Sequence, residues 1–195
     1  MLILASLGEF LPTIIIVVVV VLLLLWGVGV YNKLVKARNQ VKNAWSQIDV
    51  QLTRRFDLIP NLVETVKGYA SHEKDIWEKF AAARNLYERA KAGNDVNQMA
   101  EANNQISSAL ARLMVVQEQY PELKADVHFT TMMGDLKETE KQIAFTRQFY
   151  NDTALKYNNT REVFPAILVA SICKFKEAEY FKAAEEAKTA PKVSF

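Results

Sequence analysis

From Phe10 to Asn32 no side chain is charged, and Ile14 to Trp26 reads Ile, Val and Leu up to the closing Trp. A helix rises about 1.5 Å per residue, so roughly 20 such residues cross the ~30 Å hydrocarbon core of a bilayer. The core helix of a soluble protein keeps a polar face, and this run keeps none. The pattern therefore predicts a transmembrane helix over 11–31, preceded by a short tail over 1–10.

Beyond Asn32 the pattern turns from uniform to periodic. Val41, Trp45, Ile48, Leu52 and Phe56 recur at helical spacing, so the first helix is predicted to continue out of the membrane to about Phe56. Without a break between 30 and 56, anchor and first bundle helix are one rod. A second helix is predicted from about Pro60, which is tolerated in a first turn, to Lys91. It would place Leu62, Val66, Tyr69, Trp77, Phe80 and Leu86 or Tyr87 inward. Ala92-Gly93-Asn94-Asp95 reads as a turn, with Gly93 at a helix end and Asn94 or Asp95 capping the next helix.

A third helix over about 95–119 carries Met99, Ile106, Leu110, Leu113 and Val116 on one face. The fourth has the strongest regularity: Phe129, Leu136, Ile143, Tyr150, Tyr157 and Phe164 stand seven apart, with Thr139, Thr146, Thr153 and Thr160 in the same period. A strict seven-residue repeat keeps one seam against a partner. After Pro165, the residues Ile167, Leu168, Ile172, Phe175 and Phe181 suggest a short amphipathic helix that caps the bundle or lies on the membrane surface. The fold class is all-α: an N-terminal transmembrane helix continuing into an antiparallel four-helix bundle over 32–182, with a short extra C-terminal helix. Residues 183–195, rich in Ala, Glu and Lys, form a flexible tail.

Charge adds direction to this picture. Only Glu9 precedes the apolar run, whereas Lys33, Lys36, Arg38 and Lys42 follow it with no acid before Asp49. Cations flank the cytoplasmic end of a span, which predicts the N-terminus outside and the bundle in the cytoplasm. The segment is expected to stay in the mature protein, because a signal peptide places its cations first. The one cysteine, Cys173, excludes an internal disulfide and lies far from any N-terminal lipidation site. Residues 31–60 hold six cations against two acids, so the basic excess is juxtamembrane and suited to the lipid bilayer, either as topology signal or as headgroup contact. No basic stripe with interleaved aromatics follows, which argues against nucleic acid.

Catalytic chemistry finds little footing. His72-Glu73 lacks the second histidine of a zinc-protease helix, and His128 stands alone. The chain has no Gly-rich phosphate loop, nucleophile elbow or cysteine pair, so no metal and no cofactor is expected. Asn151-Asp152-Thr153 and Asn158-Asn159-Thr160 match a glycosylation pattern but fall on a helix predicted to be cytoplasmic, where the match is coincidental. Arg54, Arg55, Asp57, Glu64, Glu118, Glu140 and Arg147 lie on or beside the apolar seams as a candidate polar layer. Such a layer serves either as a conformational or binding switch or as a structural ion pair fixing helix register.

Several stretches carry a resemblance: Ala44-Trp45-Ser46-Gln47-Ile48-Asp49-Val50-Gln51-Leu52, Arg54-Arg55-Phe56-Asp57-Leu58-Ile59-Pro60-Asn61-Leu62-Val63, Glu118-Gln119-Tyr120-Pro121-Glu122-Leu123-Lys124 and Ile143-Ala144-Phe145-Thr146-Arg147-Gln148-Phe149-Tyr150-Asn151, with Pro191-Lys192-Val193-Ser194-Phe195 near the C-terminus. In these the chain resembles the LemA family over almost its whole length. The resemblance implies a bacterial membrane protein with an antiparallel helical soluble part, and no catalytic residues to carry over. It also implies neighbours among membrane proteases and TPM-domain proteins.

Together these readings predict a non-enzymatic scaffold or adaptor of the inner membrane, compatible with assembly into homo-oligomers. Two alternatives stand beside it. One is a lipid-responsive, membrane-shaping protein. The other is an adaptor for a membrane protease, docking through Val193-Ser194-Phe195.

Overall fold

The computed structural model describes residues 2–70 and 72–182, with side chains from Pro12 onward. The predicted tail over 183–195, with its Val193-Ser194-Phe195 motif, lies outside the described residues. The described secondary structure is helical throughout: α1 (Leu2–Lys67), α2 (Lys74–Gly93), α3 (Val96–Val116) with a 3-10 turn at Gln117–Gln119, α4 (Pro121–Ala125), α5 (Val127–Glu162) and α6 (Ala166–Ile172). The chain divides into two compact units. Among the described residues, one comprises those up to Lys42 with Leu155–Ala178, the other Asn43–Ala154 with those from Glu179 on.

The second unit holds the larger core. Ile48, Leu52, Phe56, Ile59, Leu62 and Val66 of α1 are buried along one stripe, facing Ile76, Phe80, Ala83 and Tyr87 of α2, Met99, Ile106 and Leu113 of α3, and Phe129, Leu136 and Ile143 of α5. Phe56 and Tyr87 stack with ring centroids 4.0 Å apart. The turn between α2 and α3 forms as its residues require: Asn94 takes the left-handed conformation at φ 51°, and the Asp95 carboxylate accepts from the Gln98 amide. α5 starts in the same way, with Asp126 accepting from the Phe129 amide at 2.9 Å.

Pro60 does not begin a helix. α1 runs through it to Lys67, and α2 begins at Lys74. An interior proline costs about 3 kcal/mol through a lost hydrogen bond and a ring clash. Here the buried stripe continues on both sides of it, and that packing outweighs the local cost. Because the break comes later than expected, Tyr69 falls outside the helix and is exposed; its hydroxyl donates to Asp126 at 3.0 Å.

In α5 the heptad aromatics and aliphatics are buried from Phe129 to Tyr157, but Phe164 is 79 % exposed. The helix ends at Glu162, ahead of Pro165, so the repeat loses its helix before its sixth member. The threonines of the same period satisfy themselves: the hydroxyls of Thr139, Thr146, Thr153 and Thr160 each donate to the carbonyl four residues back at 2.7–2.8 Å. They can therefore sit beside the seam without a partner from another helix.

In the first unit, α1 carries the run Ile14–Leu25 with every side chain exposed, and buries Leu34. α6 departs from expectation, ending at Ile172. It buries only Ala166 and Ala170 and leaves Ile167, Leu168 and Ile172 exposed. Phe175 and Phe181, expected on the same amphipathic helix, are instead buried from backbone with no helical structure. Lys174, at φ 53°, takes the left-handed conformation just after α6, and Phe175 then packs edge-on to Tyr31, with the Arg38 guanidinium 5.2 Å from its ring centroid.

Candidate functional site

Arg55 is the one buried charge of the α1 stripe, sitting between Leu52 and Phe56 with 1 % of its surface exposed. One end of its guanidinium donates to Asn103 Oδ1 at 2.5 Å. The other donates to Ser107 Oγ at 3.2 Å and lies 2.6 Å from Glu140 Oε2. The close Arg55–Glu140 approach is an ion pair without hydrogen-bond alignment, and Nε is buried with no acceptor among the described residues. Burial pushes the Arg55 pKa down from its ordinary value, while the Glu140 charge opposes that shift. A guanidinium remains charged regardless, so α1, α3 and α5 meet at a cation that each must satisfy. One slip of register in any of the three leaves that cation unpaired.

A second polar cluster joins α1 to α2. Lys91 donates to Thr53 at 2.7 Å, Thr53 and Tyr87 share a 2.9 Å bond, and Asp49 lies 3.9 Å from Lys91. Burial raises the Tyr87 pKa, so the phenol stays neutral and available as a hydrogen-bonding partner.

A third constellation recurs in both units. In the second, Tyr150 donates to the Glu179 carbonyl at 2.7 Å, and the Asn151 amide bonds both the N–H and the C=O of Phe181 at 2.9 and 3.1 Å. In the first, Tyr157 donates to the Lys176 carbonyl at 2.7 Å, and Asn158 bonds both the N–H and the C=O of Ala178 at 2.9 Å. Each asparagine offers this non-helical backbone the donor and acceptor that a neighbouring strand would supply. The Tyr150 phenol is pushed up to about 12 by burial and by Glu179.

Of the seven polar-layer candidates, only Arg55 and Glu140 come together. Arg54, Asp57, Glu64 and Glu118 are exposed, and Arg147 is half-buried. Glu118 pairs with Lys124 at 2.7 Å, and Glu64 lines a surface groove beside Trp77. The flanking cations Lys33, Lys36, Arg38 and Lys42 are exposed. Sequence reasoning missed Asn103 and Ser107, which carry no local signal. It also set Asn151 and Asn158 aside as glycosylation coincidences, although their seven-residue spacing beside Tyr150 and Tyr157 was a readable sign.

The model of the LemA family matches residues 44–195. Magnetosome protein MamQ 2 of Paramagnetospirillum magneticum is 29 % identical over 175 residues, covering 78 % of this chain and 64 % of its own length. Magnetosome protein MamQ of Magnetospirillum gryphiswaldense is 27 % identical over 174 residues, covering 77 % and 64 %. Protein LemA of Metamycoplasma hominis is 27 % identical over 158 residues, covering 81 % and 71 %. The chain thus spans under two thirds of the length of the MamQ relatives it matches. With the match covering most of its length and every element helical as that family's resemblance implies, the chain belongs to the LemA family.

Proposed function

We propose that this chain is a non-enzymatic scaffold or adaptor of the bacterial inner membrane, with its N-terminus outside and its helical part in the cytoplasm. The observation that supports it most is the exposed apolar run Ile14–Leu25 on the same unbroken helix that supplies the buried stripe Ile48–Val66. The anchor and the first core helix are one element, so membrane attachment and the helical fold are coupled by covalent structure. The polar groups that reach the interior also support the reading. Arg55 engages Asn103, Ser107 and Glu140, an arrangement that fixes register rather than offering a group to a substrate. Magnetosome names among the relatives add organisation of a membrane compartment as the setting.

The test is purification of the full chain in mild detergent at native expression, with a native mass measurement and identification of co-purifying proteins. A scaffold or adaptor returns a defined homo-oligomer or a stoichiometric partner, with a membrane protease or TPM-domain protein foremost among candidates. Recovery only as a bare monomer removes the scaffold reading. Orientation has its own check, since protease added to intact spheroplasts should cleave an N-terminal tag and spare a C-terminal one.

A further inference from the structure

Ten residues from Val163 to Ile172 carry no charge, and five of them, Val163, Phe164, Ile167, Leu168 and Ile172, leave large apolar side chains exposed. α5 stops at Glu162, so Val163 and Phe164 fall in the turn before α6. α6 buries only Ala166 and Ala170, turning small side chains inward and large ones outward. A helix packed on a protein and facing water does the reverse, because burial of its large apolar side chains is what holds it there. Phe164 and Ile172, at 79 % and 80 %, are the most exposed large apolar side chains among the described residues.

The position of this patch in the first unit indicates what covers it. Phe164, Pro165 and Ala166 share a cleft of about 410 Å³ with Trp26, Val30 and Leu34 of α1. Phe175, three residues beyond α6, packs edge-on to Tyr31 with ring centroids 5.6 Å apart. Both ends of α6 therefore meet the stretch of α1 where the apolar run gives way to Lys33, and a helix of seven residues, about 10 Å long, stays beside that stretch. Trp26 and Tyr31 are of the aromatic types enriched at the boundary of hydrocarbon and headgroups. Cations border the patch: Arg161, Lys174 and Lys176 line a second cleft, of about 390 Å³, with Ile167 and Ser171, against the single acid Glu162.

We propose that the Phe164 turn and α6 make a second, interfacial contact with the bilayer that α1 enters. Phe164, Leu168 and Ile172 dip below the headgroups, and Arg161, Lys174 and Lys176 lie among anionic ones. Apolar surface of this kind marks contact with another apolar phase. A protein partner would account for the exposed side chains, but not for their place at the end of the apolar run with cations around them. The contact rests on the reading of α1 as a span. It turns a tether free to swivel about one helix into a mount held at two points, which fixes the rotation of the first unit about α1.

The test is the depth of single nitroxide labels on the full chain, in a Cys173→Ser background and in nanodiscs of equal phosphatidylcholine and phosphatidylglycerol, read from collisions with oxygen and with a nickel chelate. Labels on Phe164→Cys, Leu168→Cys and Ile172→Cys should lie about 5–10 Å below the phosphates. A label on Val20→Cys should lie deeper, and one on Phe145→Cys, exposed on α5, should lie in water. Water at 164, 168 and 172 with immersion at 20 overturns the contact and leaves the span standing. Occlusion from both reagents at 168 and 172 puts a protein partner in the place of lipid and also overturns it, as does equal depth at 145. Water at 20 overturns the span reading, and the contact with it. In phosphatidylcholine alone the three labels should shift toward the phosphates, and an unchanged depth overturns the role of the cations. The unaltered chain supplies a check free of substitution. Lipids with a diazirine on the acyl chain should photolabel residues 163–172 as well as the α1 run, and adducts confined to α1 overturn the contact.

Discussion

Residues 14–25 and residues 41–66 of α1 are both rich in apolar side chains, yet Leu24 is 65 % exposed and Leu52 has no exposed surface. In the first stretch apolar residues surround the helix. In the second they recur every three or four positions and are buried, while Val50 between them is 62 % exposed. The amount of hydrophobicity marks the solvent a helix meets, and its period marks the protein it packs against. A uniform run suits lipid on all sides, where close side-chain packing gains little over hydrocarbon. A stripe suits a core, where each side chain removes about 25 cal/mol per Å² from water.

The most direct way to break this contrast is one substitution made in both stretches. Leu52→Ala should cost about 3 kcal/mol of stability in chemical unfolding followed by far-UV circular dichroism, from lost transfer energy plus the cavity left behind. Leu24→Ala should leave that transition in place. Equal effects would show that the run over 14–25 is packed in protein rather than in lipid.

Next in size is the charge embedded in the stripe. Glu140→Gln should destabilise by about 2 kcal/mol, since Arg55 stays buried without its carboxylate. Arg55→Met combined with Glu140→Met should recover most of the loss, because a matched apolar pair removes the demand for a partner. If the double variant folds yet no longer assembles or recovers its partner, the layer is functional as well as structural.

A pH series separates the stretches further. Asp126 caps α5, and the Phe129 amide followed by the Tyr69 hydroxyl holds its carboxyl below the ordinary 3.8; Asp95, capping α3, is lowered chiefly by the Gln98 amide. A depressed folded pKa contributes stability above the unfolded value and loses it as pH falls through the folded one. Melting temperature should therefore drop in acid below about 4, and less steeply in Asp126→Asn. Membrane retention should stay constant over the same range, because residues 10–30 hold no titratable side chain.

The smallest expected effect is at alkaline pH. Tyr150 is raised from 10.0 to about 12, so it stabilises the neutral-phenol form of the fold, and that contribution fades as pH rises from 10 to 12. Tyr150→Phe should show a shallower loss across this window in thermal melts, at some cost in baseline stability from the lost bond to Glu179. Identical slopes would mean that the phenol does not titrate with unfolding.

Where the sequence pattern was dense, the structure followed it. The α2–α3 turn is legible because Asn94 and Asp95 carry their own local instructions, and the α5 seam because five heptad positions agree. Pro60 misled because its local preference opposed a stripe held in place by three other helices. Phe164 misled because periodicity says nothing about where a helix ends. Phe175 and Phe181 were read as part of an amphipathic helix capping the bundle or lying on the membrane surface, and are buried from non-helical backbone, since an amphipathic spacing over so few residues does not require a helix where Asn151 and Asn158 hold the chain.

By itself the sequence determined the span, the helical class, the core stripe and the family, all of which depend on composition and period along one segment. Tertiary structure alone decided that Arg55, out of seven charged candidates, is the buried one. It alone brought Asn103, Ser107 and Glu140 to that cation. Those outcomes depend on which faces meet across residues 48 to 85 positions apart. Pairing at that range is set by the packing of whole helices, which no local pattern encodes.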